Sequence, residues 1–233
     1  MEAIILAGGF GTRLQPVVSN VPKSMAVIRD RPFLEYQLDY LIGQGTTKAV
    51  LSVGYKHEII MNHFGSRYKS LEIEYTIENE PMGTGGGIRL SFWKIDGTRA
   101  LILNGDSMFR FNFREMMDFH LKKRSEITLA LRKLKDTSRY GRVSMGRTGR
   151  IKGFSEKEPG QGPGFINGGV YIMEKKTLME PEFRGKFSIE KDFFGSRYTT
   201  LKMYGFEAQG YFLDIGIPDD FKKAQDEFTT FID

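Results

Sequence analysis

Glu2-Ala3-Ile4-Ile5-Leu6-Ala7-Gly8-Gly9-Phe10-Gly11-Thr12-Arg13-Leu14 stands near the start of the chain, and its reading decides the fold. Residues 3–7 form a continuous apolar run, the pattern of a strand buried on both faces, and the run ends in glycines. A glycine turn after such a strand lets backbone N–H groups approach phosphate oxygens, because no Cβ stands in the way. The same glycines also suit a plain strand-to-helix bend. Two cations tilt the balance toward phosphate: Arg13, with a planar donor fork, and Lys23, a mobile point charge in Pro22-Lys23-Ser24-Met25. No Gly-Lys-Ser/Thr follows the turn, and its glycines lack the spacing of a dinucleotide fingerprint.

Working outward, strand and helix signals alternate. Leu34, Leu38, Leu41 and Ile42 recur at helical spacing, with Gly43 and Gly45 as stops. Residues 48–53 read as a strand, 57–64 as a helix, 71–77 as a strand, 85–92 as a glycine-weakened helix and 99–103 as a buried strand. Phe113, Met116, Met117, His120 and Leu121 mark the core face of the next helix, and 127–131 follows as a strand. The second half changes character: 142–145, 151–154 and 165–173 are strands parted by turn residues, and a helix over 218–228 places Phe221, Ala224, Gln225 and Phe228 on one face. The pattern predicts an α/β fold, a Rossmann-like three-layer sandwich. Its central sheet is mostly parallel, with a smaller antiparallel excursion in the second half. No linker or internal repeat divides residues 1–233, so a single domain is expected. Ligands of open α/β sheets bind beyond the carboxyl ends of the strands, where the glycine clusters and isolated acids fall.

The chain has 233 residues, 40% of them hydrophobic and 13% aromatic, which excludes a disordered chain. No apolar run approaches the roughly 20 residues of a membrane span. An acid near the N-terminus replaces the basic stretch of a secretion signal. There is no cysteine, which removes disulfide scaffolds, thiol nucleophiles and zinc–thiolate sites. A cytoplasmic enzyme is expected. The formal charge of +5 fits an anionic substrate. Basic clusters at Lys122-Lys123-Arg124 and at Arg132-Lys133 with Lys135 read as solvated faces rather than a nucleic-acid groove. His57, His63 and His120 lack ligand spacing and read as helix-surface or partly buried side chains.

The stretch Gly8-Gly9-Phe10-Gly11-Thr12-Arg13-Leu14, followed by Pro22-Lys23, resembles the signature of the sugar-1-phosphate nucleotidylyltransferases. Later motifs in the family's order extend the resemblance over essentially the whole chain. Glu80-Pro81-Met82-Gly83-Thr84-Gly85-Gly86 and Phe212-Leu213-Asp214-Ile215-Gly216-Ile217-Pro218 bring it nearest to the guanylyltransferases acting on D-glycero-D-manno-heptose 1-phosphate and mannose 1-phosphate. The resemblance implies nucleotide contacts from Leu6, Gly8, Gly9, Gly11, Thr12, Arg13, Glu78, Gly83, Thr84 and Asp106. It implies sugar-phosphate contacts from Gly141, Glu156, Lys157, Asn167 and Gly168, and catalytic roles for Arg13, Lys23 and Asp106.

The residues themselves leave alternatives beside these roles. Asp106, after the apolar strand, and Asp214 suit Mg²⁺, which takes oxygen ligands and keeps waters and substrate phosphate; each could instead cap a helix, but the resemblance favours the metal, more for Asp106 than for Asp214. Related enzymes that handle thymine or uracil carry Gln near position 78. A carboxylate at Glu78 matches guanine's N1–H and N2 donors, which points to GTP, while an exposed acid at a strand end is the plain alternative. Lys157 resembles the Lys of a Glu-Lys-Pro element, although Glu158 is inserted before Pro159. Glu156 with Lys157 could be a surface ion pair, and Asn167 a turn residue.

The activity this implies joins GTP and a sugar 1-phosphate with release of pyrophosphate. Mannose 1-phosphate, or UTP or CTP, could replace the preferred substrates, and a catalytically silent binding homologue is the other class to weigh. A glycosyltransferase is disfavoured, since Ser107 and Met108 follow Asp106 where Asp-x-Asp would be required. Aromatic residues toward the end of the chain suit a homodimer contact. The end at Asp233 suggests that the left-handed β-helix of longer relatives is not appended.

Overall fold

Strand Glu2–Leu6 stands inside a ten-stranded sheet, in register with Lys48–Val53 on one side (Ala3 opposite Ala49) and Arg99–Asn104 on the other (Ala3 opposite Leu101). Both pairings are parallel, and Leu71–Ile77 extends the parallel set beyond Lys48–Val53. The computed structural model describes residues 1–9, 14, 18 and 20–228.

The apolar runs behave as their patterning requires. Ala3 and Ile5, with Ala49, Leu51, Leu101 and Leu103, face one layer of helices, where Leu34, Leu38, Leu41, Ile60, Phe64 and Met116 pack. Ile4, Val50 and Ile102 point the other way, against Ile88, Phe92, Phe193 and Phe194. This alternation across a doubly covered sheet makes the three layers. Each large apolar side chain buried in this way contributes roughly 1.5–3 kcal/mol relative to exposure.

The second half supplies the antiparallel part. Strand Gly164–Glu174 pairs antiparallel with Arg99–Asn104 along its later residues and with Arg142–Met145 along its earlier ones. Ile127–Leu134 lines its other side, and Met203–Glu207 adds a parallel strand outside that. The register of Gly164–Glu174 against Ile127–Leu134 shifts between Asn167 and Tyr171, an irregularity of the kind that re-aims side chains.

Three local expectations need correction. Leu121 is 48% exposed while His120 is 1% exposed, because Phe113, Met116 and His120 share one helical face and Leu121 lies about 100° further round. Gln225 does not join Phe221, Ala224 and Phe228 in the core; its amide donates to Val27 O and accepts from Arg29 N. Strand Met203–Glu207 and the small pairing of Ser107–Phe109 with Phe212–Asp214 were not expected, since segments of three to five residues carry too little periodicity. Among the described residues no helix is long and apolar enough to cross a membrane.

Candidate active site

The strand Arg99–Asn104 ends beside the carboxyl end of Glu2–Leu6, and Gly105 N–H donates to Leu6 O at 3.0 Å. Buried Gln37, on the helix Phe33–Gly43, donates its amide to Asn104 O and Ser107 O, both at 2.8 Å. These bonds fix the turn that carries Asp106. Asp106 O accepts from Ile215 N–H at 3.0 Å, and Asp214 lies opposite Ser107 in the antiparallel pair. Two acids far apart in sequence are thereby brought to one place.

Between them sits Lys23. Its Nζ is 2.6 Å from Asp106 Oδ2 and 3.8 Å from Asp214 Oδ1. A Cβ at residue 216 would stand 2.8 Å from Asp214 Oδ1 and 2.9 Å from Lys23 Nζ, so Gly216 leaves both side-chain ends room to stand as they do. The donor set fits a divalent cation: the two carboxylates already share one positive charge. No group of three or more His, Cys, Asp or Glu able to hold a metal occurs among the described residues. Asp106 and Asp214 would thus leave most of the shell to water and substrate phosphate, as magnesium prefers.

A cleft of ≈ 610 Å³ opens in front of this group. Of the residues expected to meet nucleotide, Leu6, Gly8, Gly9, Glu78, Gly83, Thr84 and Asp106 line it, together with Lys23. Gly11, Thr12 and Arg13 lie outside the described residues. Tyr55, His57, Ile77 and Asn79 also line the cleft; His57 therefore faces a ligand space, with Nδ1 3.2 Å from Gly54 O.

Glu78 is not a free surface acid. Its Oε1 accepts from Ser52 Oγ at 2.9 Å and its Oε2 from Met82 N–H at 3.0 Å. Each oxygen keeps a further lone pair for a ligand donor. The carboxylate also holds the start of the helix Gly83–Ser91 against the strand Lys48–Val53. Gly83 has φ +70°, and a Cβ there would stand 2.5 Å from Phe187 O. The segment around Phe187 braces the same loop: Phe187 N–H donates to Met82 O, Gly85 N–H to Phe187 O, and Ile189 N–H to Thr84 Oγ1.

The residues expected to hold the sugar phosphate divide into two groups. Asn167 and Gly168 sit at the register shift of Gly164–Glu174. Asn167 Nδ2 donates to Tyr171 Oη at 2.7 Å and Glu190 Oε1 at 2.6 Å, and Tyr171 donates to Glu190 at 3.1 Å. Although Glu190 keeps an exposed face, the protein packed round its carboxyl raises its pKa. The Asp106 and Glu156 charges push the same way, against the hydrogen bonds from Tyr171 and Asn167. Glu190 thus bonds Asn167 and feels the charges of both Asp106 and Glu156. Glu156 and Lys157 remain exposed beyond strand Ile151–Ser155. Glu156 pairs with Lys191 at 3.2 Å rather than with its neighbour. Gly141 immediately precedes strand Arg142–Met145.

The nucleotidyl transferase family pattern matches residues 2–230. The chain belongs to that family. Among its relatives, the D-glycero-alpha-D-manno-heptose 1-phosphate guanylyltransferase of Aneurinibacillus thermoaerophilus is 46% identical over 232 residues, covering all of both chains. The enzyme of the same name from Campylobacter jejuni is 38% identical, covering 95% of this chain and 97% of its own. The crystal structure of HddC from Yersinia pseudotuberculosis complexed with GMP-PN superposes with a TM-score of 0.87. It has 34% identity, covering 98% of this chain and 99% of that one.

For this nucleotidyl transferase, sequence reasoning missed Gln37, Ser52, Tyr171 and Glu190. Gln37 left one usable signal, an amide on the apolar face formed by Leu34, Leu38 and Leu41, where a buried polar group needs partners. Glu190 left none, since it lies in an irregular helical segment, Ile189–Phe194, without amphipathic period.

Proposed function

We propose that this nucleotidyl transferase converts GTP and D-glycero-α-D-manno-heptose 1-phosphate into the GDP-heptose and pyrophosphate. The observation that carries the reading is the convergence of Lys23, Asp106 and Glu78 on one cleft, with Asp214 3.8 Å from Lys23, in a chain alike over its full length to guanylyltransferases for that sugar phosphate.

A phosphate oxygen of the sugar 1-phosphate attacks the α-phosphorus of GTP, and the bond to the β-phosphate breaks as pyrophosphate departs. The attacking group is already ionised near neutral pH, so neither a protein nucleophile nor a general base is required. The protein's task is to hold two anions together and balance the charge that develops between them. Lys23 leaves its carboxylate partners to meet the reacting phosphates. Arg13 holds the departing pyrophosphate. Glu78 accepts from guanine N1–H and N2–H, while the backbone at Gly8, Gly9, Gly83 and Thr84 lies along the nucleotide. Asn167, Glu156 and Lys157 orient the sugar phosphate, with Gly141 and Gly168 leaving room for the ring. Asp106 and Asp214 would hold Mg²⁺, which when bound screens the phosphate charges of both substrates.

Residues 1–233 act as one catalytic unit in this reading, which is that of a cytoplasmic enzyme supplying an activated sugar for a cell-surface polysaccharide. A panel of sugar 1-phosphates crossed with the four NTPs, scored by pyrophosphate release, tests it. Highest kcat/KM with GTP and the heptose phosphate is expected. A preference for mannose 1-phosphate would overturn the sugar assignment, and no pyrophosphate from any pair would leave only a binding protein.

A further inference from the structure

The strand that leads to Asp106 in the cleft and the strand that carries Asn167 have their other ends at a second concavity. Strand Arg99–Asn104 begins there with Arg99, and Gly164–Glu174 finishes there with Glu174. The pocket encloses ≈ 430 Å³, and the cations Arg99, Arg124, Lys176 and Lys202 line it. Arg99 is paired with Glu174 at 2.5 Å, and Glu174 also meets buried His120 at 3.3 Å. Glu126 accepts from Lys202 N–H at 2.9 Å. The side chains of Arg124, Lys176 and Lys202 have no ion pair or hydrogen bond among the described residues. Of the two acids lining the hollow, Glu174 is paired with Arg99, and Glu126 alone faces the three cations, so positive charge is in excess there and attracts an anion.

Two features point to a ligand rather than a solvated face. Ser125 lines the pocket, is 5% exposed, and its buried Oγ has no hydrogen-bond partner. Buried hydroxyls are normally paired, so this one needs an explanation. Arg124 adopts φ +48° just past the helix Phe113–Lys122, at the left-handed position where glycine is the default. An L side chain is strained there, and strain of this sort marks functional positions. Arg124 belongs to the Lys122-Lys123-Arg124 cluster that, by sequence, reads as a solvated face.

We propose that this pocket is a second anion site, which binds a phosphate group through Arg124, Lys176 and Lys202, with the Ser125 hydroxyl as a further donor. The chemistry suits inorganic phosphate and the phosphate of a small monoester alike. Its location at the far end of the sheet makes the site independent of the nucleotide cleft and of the activity proposed above.

The test is an NMR titration of the ¹⁵N-labelled full chain with inorganic phosphate, and separately with glycerol 1-phosphate, at ionic strength held constant with potassium chloride. Saturable shifts of the Arg124, Ser125, Glu126 and Lys202 amides are expected. Saturation by phosphate identifies the free ion as sufficient, and saturation by the ester alone identifies a phosphorylated metabolite; either supports the site. The R124Q/K176Q/K202Q variant should bind at least tenfold more weakly, with shifts at Gly8 and Gly9 and turnover retained. Arg124→Gly should weaken binding while raising Tm, a combination that a merely structural role would not produce. Shifts that stay linear and match those from chloride, or saturable shifts confined to the cleft, would overturn the proposal. So would a response to an acidic peptide alone, which would make the pocket a protein-docking surface.

Discussion

The ammonium of Lys23 lies 2.6 Å from one carboxylate oxygen of Asp106 and within 3.8 Å of Asp214. Three residues from separate parts of the chain thus form one group in which a single ammonium faces two carboxylates; removing Lys23 leaves both acids unneutralised, and removing either acid takes away the negative charge available to a cation. Asp106→Asn should lower kcat by about a hundredfold or more, near 3 kcal/mol of barrier, as for loss of one preorganised electrostatic contact. Lys23→Met should fall in the same range, and Asp214→Asn less. Initial rates of pyrophosphate release check the order; wild-type turnover in the Asp106 variant would remove this residue from the chemistry.

Glu78 accepts from Ser52 and from the Met82 amide. Glu78→Gln retains one acceptor and should preserve the loop, but it loses the carboxylate that suits two guanine donors. The GTP-over-UTP ratio of kcat/KM should drop about tenfold or more, corresponding to ~1.4 kcal/mol or above. An unchanged ratio with lowered stability would mean that Glu78 only braces the loop.

Gln37 holds both Asn104 O and Ser107 O. Gln37→Leu keeps the apolar helix face but strands two carbonyls, at about 1–3 kcal/mol for each one left unsatisfied. Thermal unfolding should shift downward by several degrees, on the scale of about 2–4 °C per kcal/mol for a chain of this size. Because the same turn carries Asp106, kcat should fall along with Tm.

His120 is 1% exposed, and burial lowers its pKa, partly offset by Glu174. The unfolded chain, with an ordinary histidine pKa near 6.5, therefore binds more protons below that value than the folded chain does. Stability should rise as pH increases toward about 6.5 and then level off for this group. His120→Gln should flatten that part of the profile, as measured by urea unfolding at pH 5.5 and 7.5. A steeper slope in the variant would contradict the assignment.

Much of this was legible before folding, for reasons that differ by residue. Ala3, Ile4 and Ile5 announced a buried parallel strand because all of them are apolar, as suits a strand covered on both faces. Gly83 and Gly216 stand where backbone or charged groups come within 3 Å of a missing Cβ, a constraint visible as glycine within recognisable motifs. Gln37 and Glu190 were not legible, because their roles come from partners 67 and 23 positions away.

Local chemistry thus set the elements: apolar runs became strands, amphipathic repeats became helices, and glycines marked the turns. Only the tertiary structure decided which charges meet. Nothing in the linear order says that Lys23 reaches both Asp106 and Asp214, or that exposed Arg124 shares the lining of one pocket with Lys176 and Lys202. Those encounters follow from strand order and register, which fix where each strand's end arrives and so what electric field it creates there.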